Sequence, residues 1–406
     1  MREHNTLAIL DTIRKHGPLT RAETAERSGL SLPTVCRIVD DLVLRGAVLE
    51  TGKGDSSGGR RPMVLKYDAR QAAVVGIFAG DVSIAVALAD LDGEIVARTS
   101  FPIAEAGLGS AIIARIARAI YDLFSEAGMR LDSLAGIGLA LHGTTDPACQ
   151  VVNEAPFLTG WDNLAVREIF GQAFPVPIVL DNEANLAVLA EHWRGSAKGA
   201  DNILYITISA GIGGGIMIGG SIYRGNTGRA AEIGFITVGR PARDDKADRL
   251  GYLESHYGTE AVVNRIRAEL AAGRPSILQA PFAAGGGVLT RAQVWEAARN
   301  GDALAREAVL ETAEYWGLAI ANAAAIVDPE LIVVGGDANS IWEVVAEVIT
   351  NTVGRFIPKS PPIVLSSLGW DAQLYGAIKS VLIKVGYDFV LKPRKPSRHV
   401  AGGRNA

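Results

Sequence analysis

Residues 18–50 read PLTRAETAERSGLSLPTVCRIVDDLVLRGAVLE, and residues 51–62 continue as TGKGDSSGGRRP. Thr20 followed three residues later by Glu23 has the spacing of a capping box, in which side chain and backbone satisfy each other's unpaired amides at a helix start. That helix is expected to end near Ser28, because Gly29 supplies the left-handed turn of a tight helix-helix corner. Ser31 is placed to cap the next helix, with Pro33 tolerated in its first turn, where amides lack helical partners. Val35, Ile38, Val39 and Leu42 then share one face, set against Leu7, Leu10 and Ile13 of a preceding helix. After Gly46, residues 48–50 and 63–67 can pair as a hairpin with residues 52–62 as its tip.

This order predicts a winged helix-turn-helix over residues 1–67. In such a motif Ser31, Thr34 and Arg37, early in the second helix, face base edges in the major groove. Arg60 and Arg61 at the wing tip enter a minor groove or clamp phosphate. Double-stranded DNA is therefore the first partner to consider. The other reading is a helical hairpin used for protein contact, its arginines merely solvated. Cys36 reads as a small packing residue, with a redox role as the alternative.

A chain of 406 residues is too long for one small DNA-binding domain and predicts two or three globular units. The 48% hydrophobic content is ample for buried cores, and a formal net charge of −4 excludes general polyelectrolyte binding by the whole molecule. Residues 1–66 hold 11 Lys and Arg against 8 Asp and Glu, a balance of +3, so positive charge is local to the reader. Cys36 and Cys149 lie far apart in unlike contexts, which supports neither a disulfide framework nor a cysteine zinc site. No cofactor or metal is expected. The opening MREHNTLAIL lacks the apolar centre of a signal peptide, and no run of 18 apolar residues is free of charges or glycine breaks. A soluble protein of a reducing cytoplasm is the expectation. Residues 391–406 read as a disordered basic tail, with five Lys and Arg and no acid from Lys392 onward.

From Ala72 the texture changes to apolar strands separated by turns. AAVVGIFAG and SIAVALADLDGEIVARTS predict three consecutive strands, with Asp92-Gly93 as a tight hairpin turn. A helix over residues 110–127, the strand LAGIGLAL and a strand-helix pair, VPIVLDNEAN into LAVLAEHWRG, follow. At Asn202 the pattern restarts with ILYITISAGIGGGIMIGG and SIYRG. Helices are expected between residues 252 and 325, with an irregular stretch over 273–287, then the buried strand LIVVGG and a closing helix GAIKSVLIKV. The repeat predicts two similar α/β lobes facing a cleft over residues 72–390, joined to the reader by a linker at residues 68–71.

Behind the winged helix, AGIGGGI, RAAEIG, GYLE, VDPELIVVGG and LGWDAQLYGA occur in one order along the chain. These segments resemble the ROK family of bacterial repressors and sugar kinases over nearly the whole length. The resemblance implies an actin-like, ribonuclease-H-like fold with a sugar pocket between its lobes. The family's kinases carry Asp-Ile-Gly-Gly-Thr at the first strand turn, near the nucleotide phosphates and metal. The matching run here is Phe78-Ala79-Gly80-Asp81-Val82, which loses the acid and the hydroxyl and places Asp81 where a triphosphate should lie. The second phosphate loop, Gly-Thr-Gly in the family, is Ser209-Ala210-Gly211. Glycines 213, 214 and 215 either permit close backbone approach or pack a strand corner.

The kinases' catalytic aspartate matches Glu183 in Asp181-Asn182-Glu183-Ala184-Asn185. The added methylene moves the carboxylate by about an ångström, and displacements of that order cost roughly 100-fold in rate. With both loops altered, no phosphoryl transfer is expected. Sugar recognition is implied for Asn182, Glu183, Glu232 and Glu254, whose oxygens suit neighbouring hydroxyls. Phe235 replaces the family's histidine, a sugar contact and zinc ligand, and either stacks on a sugar face or fills the vacated volume. The cysteines of the following loop are replaced by Asp245, Ala247 and Tyr252, so no structural zinc is expected. His142 reads as a loop residue rather than an acid-base group, and the adjacent Glu191 and His192 have the wrong spacing for a metal site. Trp161 either closes over a sugar or packs. The expected protein is a sugar-responsive repressor of carbohydrate-metabolism genes, binding a palindromic operator as a homodimer or homotetramer. An active sugar kinase with an appended reader, and a regulator controlled by a protein partner without a small ligand, are the other two readings.

Overall fold

The computed structural model describes residues 2–53, 63–105, 107–146, 148, 151–156, 158–239 and 250–387. The N-terminal unit comprises α1 (Arg2–His16), β1 (Leu19–Thr20), α2 (Arg21–Ser28), α3 (Leu32–Leu44), β2 (Val48–Lys53) and β3 (Met63–Tyr67). The capping box forms at Thr20: its Oγ1 accepts from the Glu23 amide at 3.2 Å, and its own amide donates to Glu23 Oε2 at 2.7 Å. Gly29 closes α2 at φ +68°. Ile9, Leu10 and Ile13 meet Val35, Ile38, Val39 and Leu42 in the core, while Leu7 is only half-buried.

One expectation here needs correction. Ser31 heads α3 but makes no side-chain bond to the helix backbone; its hydroxyl pairs with that of Thr34 at 2.9 Å. Pro33 has no amide to offer, and the Thr34 amide is taken by the Ser31 carbonyl at 2.9 Å. The expected hairpin forms, with β2 antiparallel to β3 and Val48 opposite Tyr67, and β1 adds a third strand by pairing antiparallel with β3, Leu19 opposite Leu65. Arg60, Arg61 and the wing tip at 54–62 lie outside the described residues, as do Cys149, Asp245, Ala247 and the tail at 391–406.

The first lobe contains β4 (Ala73–Ala79), β5 (Ser83–Asp90), β6 (Ile95–Pro102), α4 (Ser110–Glu126), β7 (Leu134–Leu141), β8 (Thr144–Thr145), β9 (Val152–Glu154), α5 (Val166–Ala173), β10 (Ile178–Asn182) and α6 (Glu183–Arg194). Its sheet runs β10-β7-β4-β5-β6, with β10, β7 and β4 parallel and the other two antiparallel. The second lobe contains β11 (Ile203–Ile208), β12 (Ile212–Ile218), β13 (Ser221–Ile222), α7 (Tyr252–Tyr257), α8 (Thr259–Ala271), α9 (Gln279–Ala284), α10 (Arg291–Arg299), α11 (Ala303–Val327), β14 (Leu331–Gly336), α12 (Ala338–Phe356), β15 (Ile363–Leu365) and α13 (Ala372–Val385). Its sheet, β13-β12-β11-β14-β15, repeats the same plan of three parallel strands and two antiparallel ones. The parallel strands read as unbroken apolar runs because helices cover both faces. The stretch 273–287 is not wholly irregular, since it holds α9. The 19-residue α12 follows LIVVGG without a side-chain cap to announce it.

The closing helix α13 returns from the second lobe to lie against the first. A Cβ on Gly138 of β7 would sit 2.0 Å from the Ala377 carbonyl oxygen, and one on Gly376 would sit 1.9 Å from the Leu186 carbonyl oxygen of α6. The helix is therefore clamped backbone to backbone between β7 and α6. The linker is an ordered 3-10 turn, in which Asp68 accepts from the Arg70 amide at 3.0 Å and donates its own amide to Ala47. Apolar side chains of the reader run without interruption into Val74, Leu91, Leu374 and Ile378. Gly376→Ala is expected to lower stability by about 1–3 kcal/mol, as overpacking of a filled core does. A urea midpoint equal to that of the wild type would contradict the clamp.

Candidate functional site

The segment Asp181-Asn182-Glu183 carries β10 into α6 at the cleft between the lobes. Asp181 is fully buried and accepts from the Asn182 amide at 2.8 Å, Asn185 Nδ2 at 3.0 Å and Arg224 Nε at 3.0 Å. Arg224 belongs to the second lobe, so this carboxylate anchors one lobe on the other. Asn182 caps α6: its Oδ1 accepts from the Ala184 and Asn185 amides, and its Nδ2 donates to the Gly143 carbonyl at 2.8 Å. One amide hydrogen is left for a ligand. The Asn182 oxygen, expected to meet a sugar hydroxyl, is instead committed to the helix cap.

Glu183, Glu232, Glu254 and Phe235 converge with His142 on a cavity of about 60 Å³. Glu183 is 5% exposed, and its Oε1 lies 3.3 Å from His142 Nδ1. His142 is thus more than a loop residue: its ring lines the cavity against the Glu183 carboxylate. Burial pushes the Glu183 carboxyl up; His142 opposes this, while the charges of Asp81 and Glu254 add to it. Burial likewise pushes Glu232 up to about 7, against the pull of Arg229 and with the charge of Glu254 adding. Burial raises Glu254 too, although it accepts from the Ile212 amide at 3.0 Å. Phe235 is 42% exposed at the cavity mouth, so it does not fill a hole in the core.

Glycines 214 and 215 lie inside β12 rather than at a corner, and they allow close packing: added Cβ atoms would meet the Ala231 carbonyl oxygen at 2.8 Å and that of Ala184 at 2.4 Å. Gly213 opens toward the cavity. Trp161 is fully buried in the first lobe's core and closes over nothing. Glu191 is fully buried and receives Ser366 Oγ at 2.5 Å, the Ser196 amide at 2.6 Å and the Leu368 amide at 3.2 Å. It fastens the end of α6 to the second lobe.

Asp81, in the turn between β4 and β5, is not a bare charge. Arg291 at the head of α10 donates to Asp81 Oδ2 at 2.8 Å and to Asp337 Oδ2 at 3.0 Å. All three side chains are largely buried, and the guanidinium joins the two lobes. Burial pushes Asp337 up to about 6 despite Arg291 beside it. Cavities of about 500 and 600 Å³ flank this bridge, far larger than the one at Glu183. On the reader, Ser31 and Arg37 are exposed and Thr34 half-buried at the start of α3.

The model of the ROK family matches residues 74–383, and a winged helix-turn-helix DNA-binding model matches residues 2–48. The chain belongs to the ROK family. It is 27% identical over 361 residues to a xylose repressor of Caldicellulosiruptor bescii, covering 87% of this chain and 88% of that one. It is 31% identical over 315 residues to a glucokinase of Halalkalibacterium halodurans, covering 74% and 92%. Its fold matches a crystal structure of a ROK family transcriptional regulator, a homologue of the Escherichia coli MLC protein, at a TM-score of 0.77 and 24% identity, over 96% of this chain and 98% of that one. The family relatives thus include both repressors and a kinase.

Two outcomes test the electrostatics. Glu232 titrates near 7 when folded, above its ordinary 4.5, so its contribution to stability is full below pH 4.5 and is lost as pH rises through 7. Wild type is therefore expected to lose up to about 3 kcal/mol relative to Glu232→Gln between pH 4.5 and 8. A stability gap independent of pH, measured by urea unfolding, would refute the assignment. Arg291→Met leaves two buried carboxylates facing each other and is expected to cost about 3–5 kcal/mol at pH 8, less at pH 5 where Asp337 is protonated. Equal losses of melting temperature at both pH values would count against the bridge.

Proposed function

We propose that this chain is a sugar-responsive DNA-binding regulator that represses carbohydrate-metabolism genes and performs no phosphoryl transfer. The observation that carries the reading is the union of two parts in one core: a winged-helix reader whose apolar interior continues into the lobe that presents Glu183. In this reading Glu183, Glu232 and Glu254 accept from sugar hydroxyls, and the free hydrogen of Asn182 donates. Phe235 faces the C–H surface of the ring. Glu232, near half-protonated at neutral pH, serves as donor or acceptor. The likeness to a xylose repressor supports a monosaccharide effector.

The pocket of about 60 Å³ is smaller than the roughly 300 Å³ at which ligand clefts begin, so the lobes part to admit a sugar. Arg291 supports the absence of phosphoryl transfer. It pairs with Asp81, in the loop matching the kinases' first phosphate loop, and with Asp337 after β14, two carboxylates that disfavour a triphosphate there. On DNA, Ser31, Thr34 and Arg37 read the major groove while Arg60 and Arg61 hold the backbone or minor groove. A dimer or tetramer presents two α3 helices about 34–36 Å apart to a palindromic operator, in the cytoplasm where that DNA lies.

An operator selected from a random duplex pool supplies the probe. Arg37→Ala is expected to weaken binding about 10- to 100-fold by fluorescence anisotropy, as loss of one base-reading arginine does. An affinity within twofold of wild type removes Arg37 from the contact set. Incubation with ATP, magnesium and either glucose or xylose is expected to yield no sugar phosphate. Turnover that Glu183→Gln abolishes would restore the kinase reading.

A further inference from the structure

We propose that the Asp92-Gly93 turn between β5 and β6 is the relay by which the sugar pocket governs the reader, with Asp92, Arg14 and Arg194 as its positioning residues. The proposal rests on the regulator reading and assigns the route of its regulation. The helix α6 begins in the pocket, where Asn182 caps it and Glu183 is its first residue. Its 12 residues run unbroken to Arg194, about 18 Å away at 1.5 Å per residue. A helix of that length, buried on most sides, shifts as one body.

Its far end is fitted to the turn twice. Arg194 Nη2 donates to the Asp92 carbonyl at 2.6 Å and pairs with Glu94 at 2.9 Å. The outer edge of the Trp193 ring abuts Gly93, where an added Cβ would sit 2.3 Å from it; the turn takes φ +79° there. The guanidinium of Arg194 covers the Trp193 ring at 3.9 Å and Lys379 of α13 approaches it at 4.9 Å.

The reader holds the same turn from its own side. Arg14 of α1 donates Nε to Asp92 Oδ1 at 2.8 Å and Nη2 to the Leu91 carbonyl at 2.9 Å. Leu91 in turn gives its amide to Ala69 of the linker turn. The second lobe acts on the same helix end through Glu191, one turn before Arg194. Parting of the lobes around a sugar therefore loads α6 at its head and near its tail, and the load leaves through Asp92. The apolar contacts between reader and lobe are non-directional. The charged, two-point grip of Arg14 fixes orientation, and with it the direction in which α3 meets DNA.

The test uses the full chain, the selected operator, and D-xylose and D-glucose as probes, with binding of each followed by calorimetry. The quantity read is the ratio of operator affinity without sugar to that with saturating sugar. Wild type is expected to give about tenfold or more. Asp92→Asn keeps the carbonyl for Arg194 but loses the charge that Arg14 holds; its ratio is expected to fall below about threefold with sugar affinity unchanged, and Asp92→Glu to recover much of the loss. Arg14→Gln approaches from the other side, and the double variant is expected to lose no more than either single one, as residues of one contact do. A wild-type ratio in Asp92→Asn and Arg14→Gln overturns the relay and leaves the regulator reading standing. A ratio near one in wild type with sugar bound, or no binding of either sugar, overturns the regulator reading and the relay with it.

Discussion

The carbonyl of Leu186 in α6 rests directly on Gly376 of α13, and the carbonyl of Ala377 rests on Gly138 of β7. These contacts admit no side chain, and they stack strand, helix and helix at backbone distance. The pocket cap, the buried sheet of the first lobe and the apolar face of the reader all hang on these two helices. Because α13 starts in the second lobe's final loop and ends beside Asp11 of α1, where Tyr387 donates at 3.1 Å, it ties all three parts into one body.

Charge imposes the second constraint. The cleft gathers Asp81, Asp181, Glu183, Glu232, Glu254 and Asp337 into partly dry surroundings, where unpaired carboxylates are costly. Arg224 answers Asp181, Arg291 answers Asp81 and Asp337 together, and His142 faces Glu183. Glu232 and Glu254 have weaker support, and their carboxyls shift toward the protonated form. Under the regulator reading a polyol satisfies these two groups together with Glu183, which burial also raises.

Much of the reader was legible because its signals are local. A threonine three residues before a glutamate, and a glycine at a corner, each act within one helical turn. The two lobes and the cleft between them were legible from strands and helices that repeat in the same order, and the pocket residues through the resemblance to the ROK family. What escaped reading was made by distance or by size. β1 has two residues and shows no alternation; Arg291 meets Asp81 across 210 positions, and Arg14 meets Asp92 across 78. No spacing rule reaches that far. Ser31 misled because Pro33 withdrew the amide it needed, and Asn182 because a cap and a loop had already taken most of its hydrogen bonds. His142 had a signal of a kind, a polar ring at the end of a buried strand beside a glycine.

The central claim is that pocket and reader form one coupled unit through α6. Hydrogen exchange of the full chain, with and without a saturating sugar, tests it most directly. Protection is predicted to change together in the first turn of α6, in residues 90–94 and in the second half of α1. Changes confined to the pocket, with α1 and the turn unaltered while sugar is bound, would contradict it.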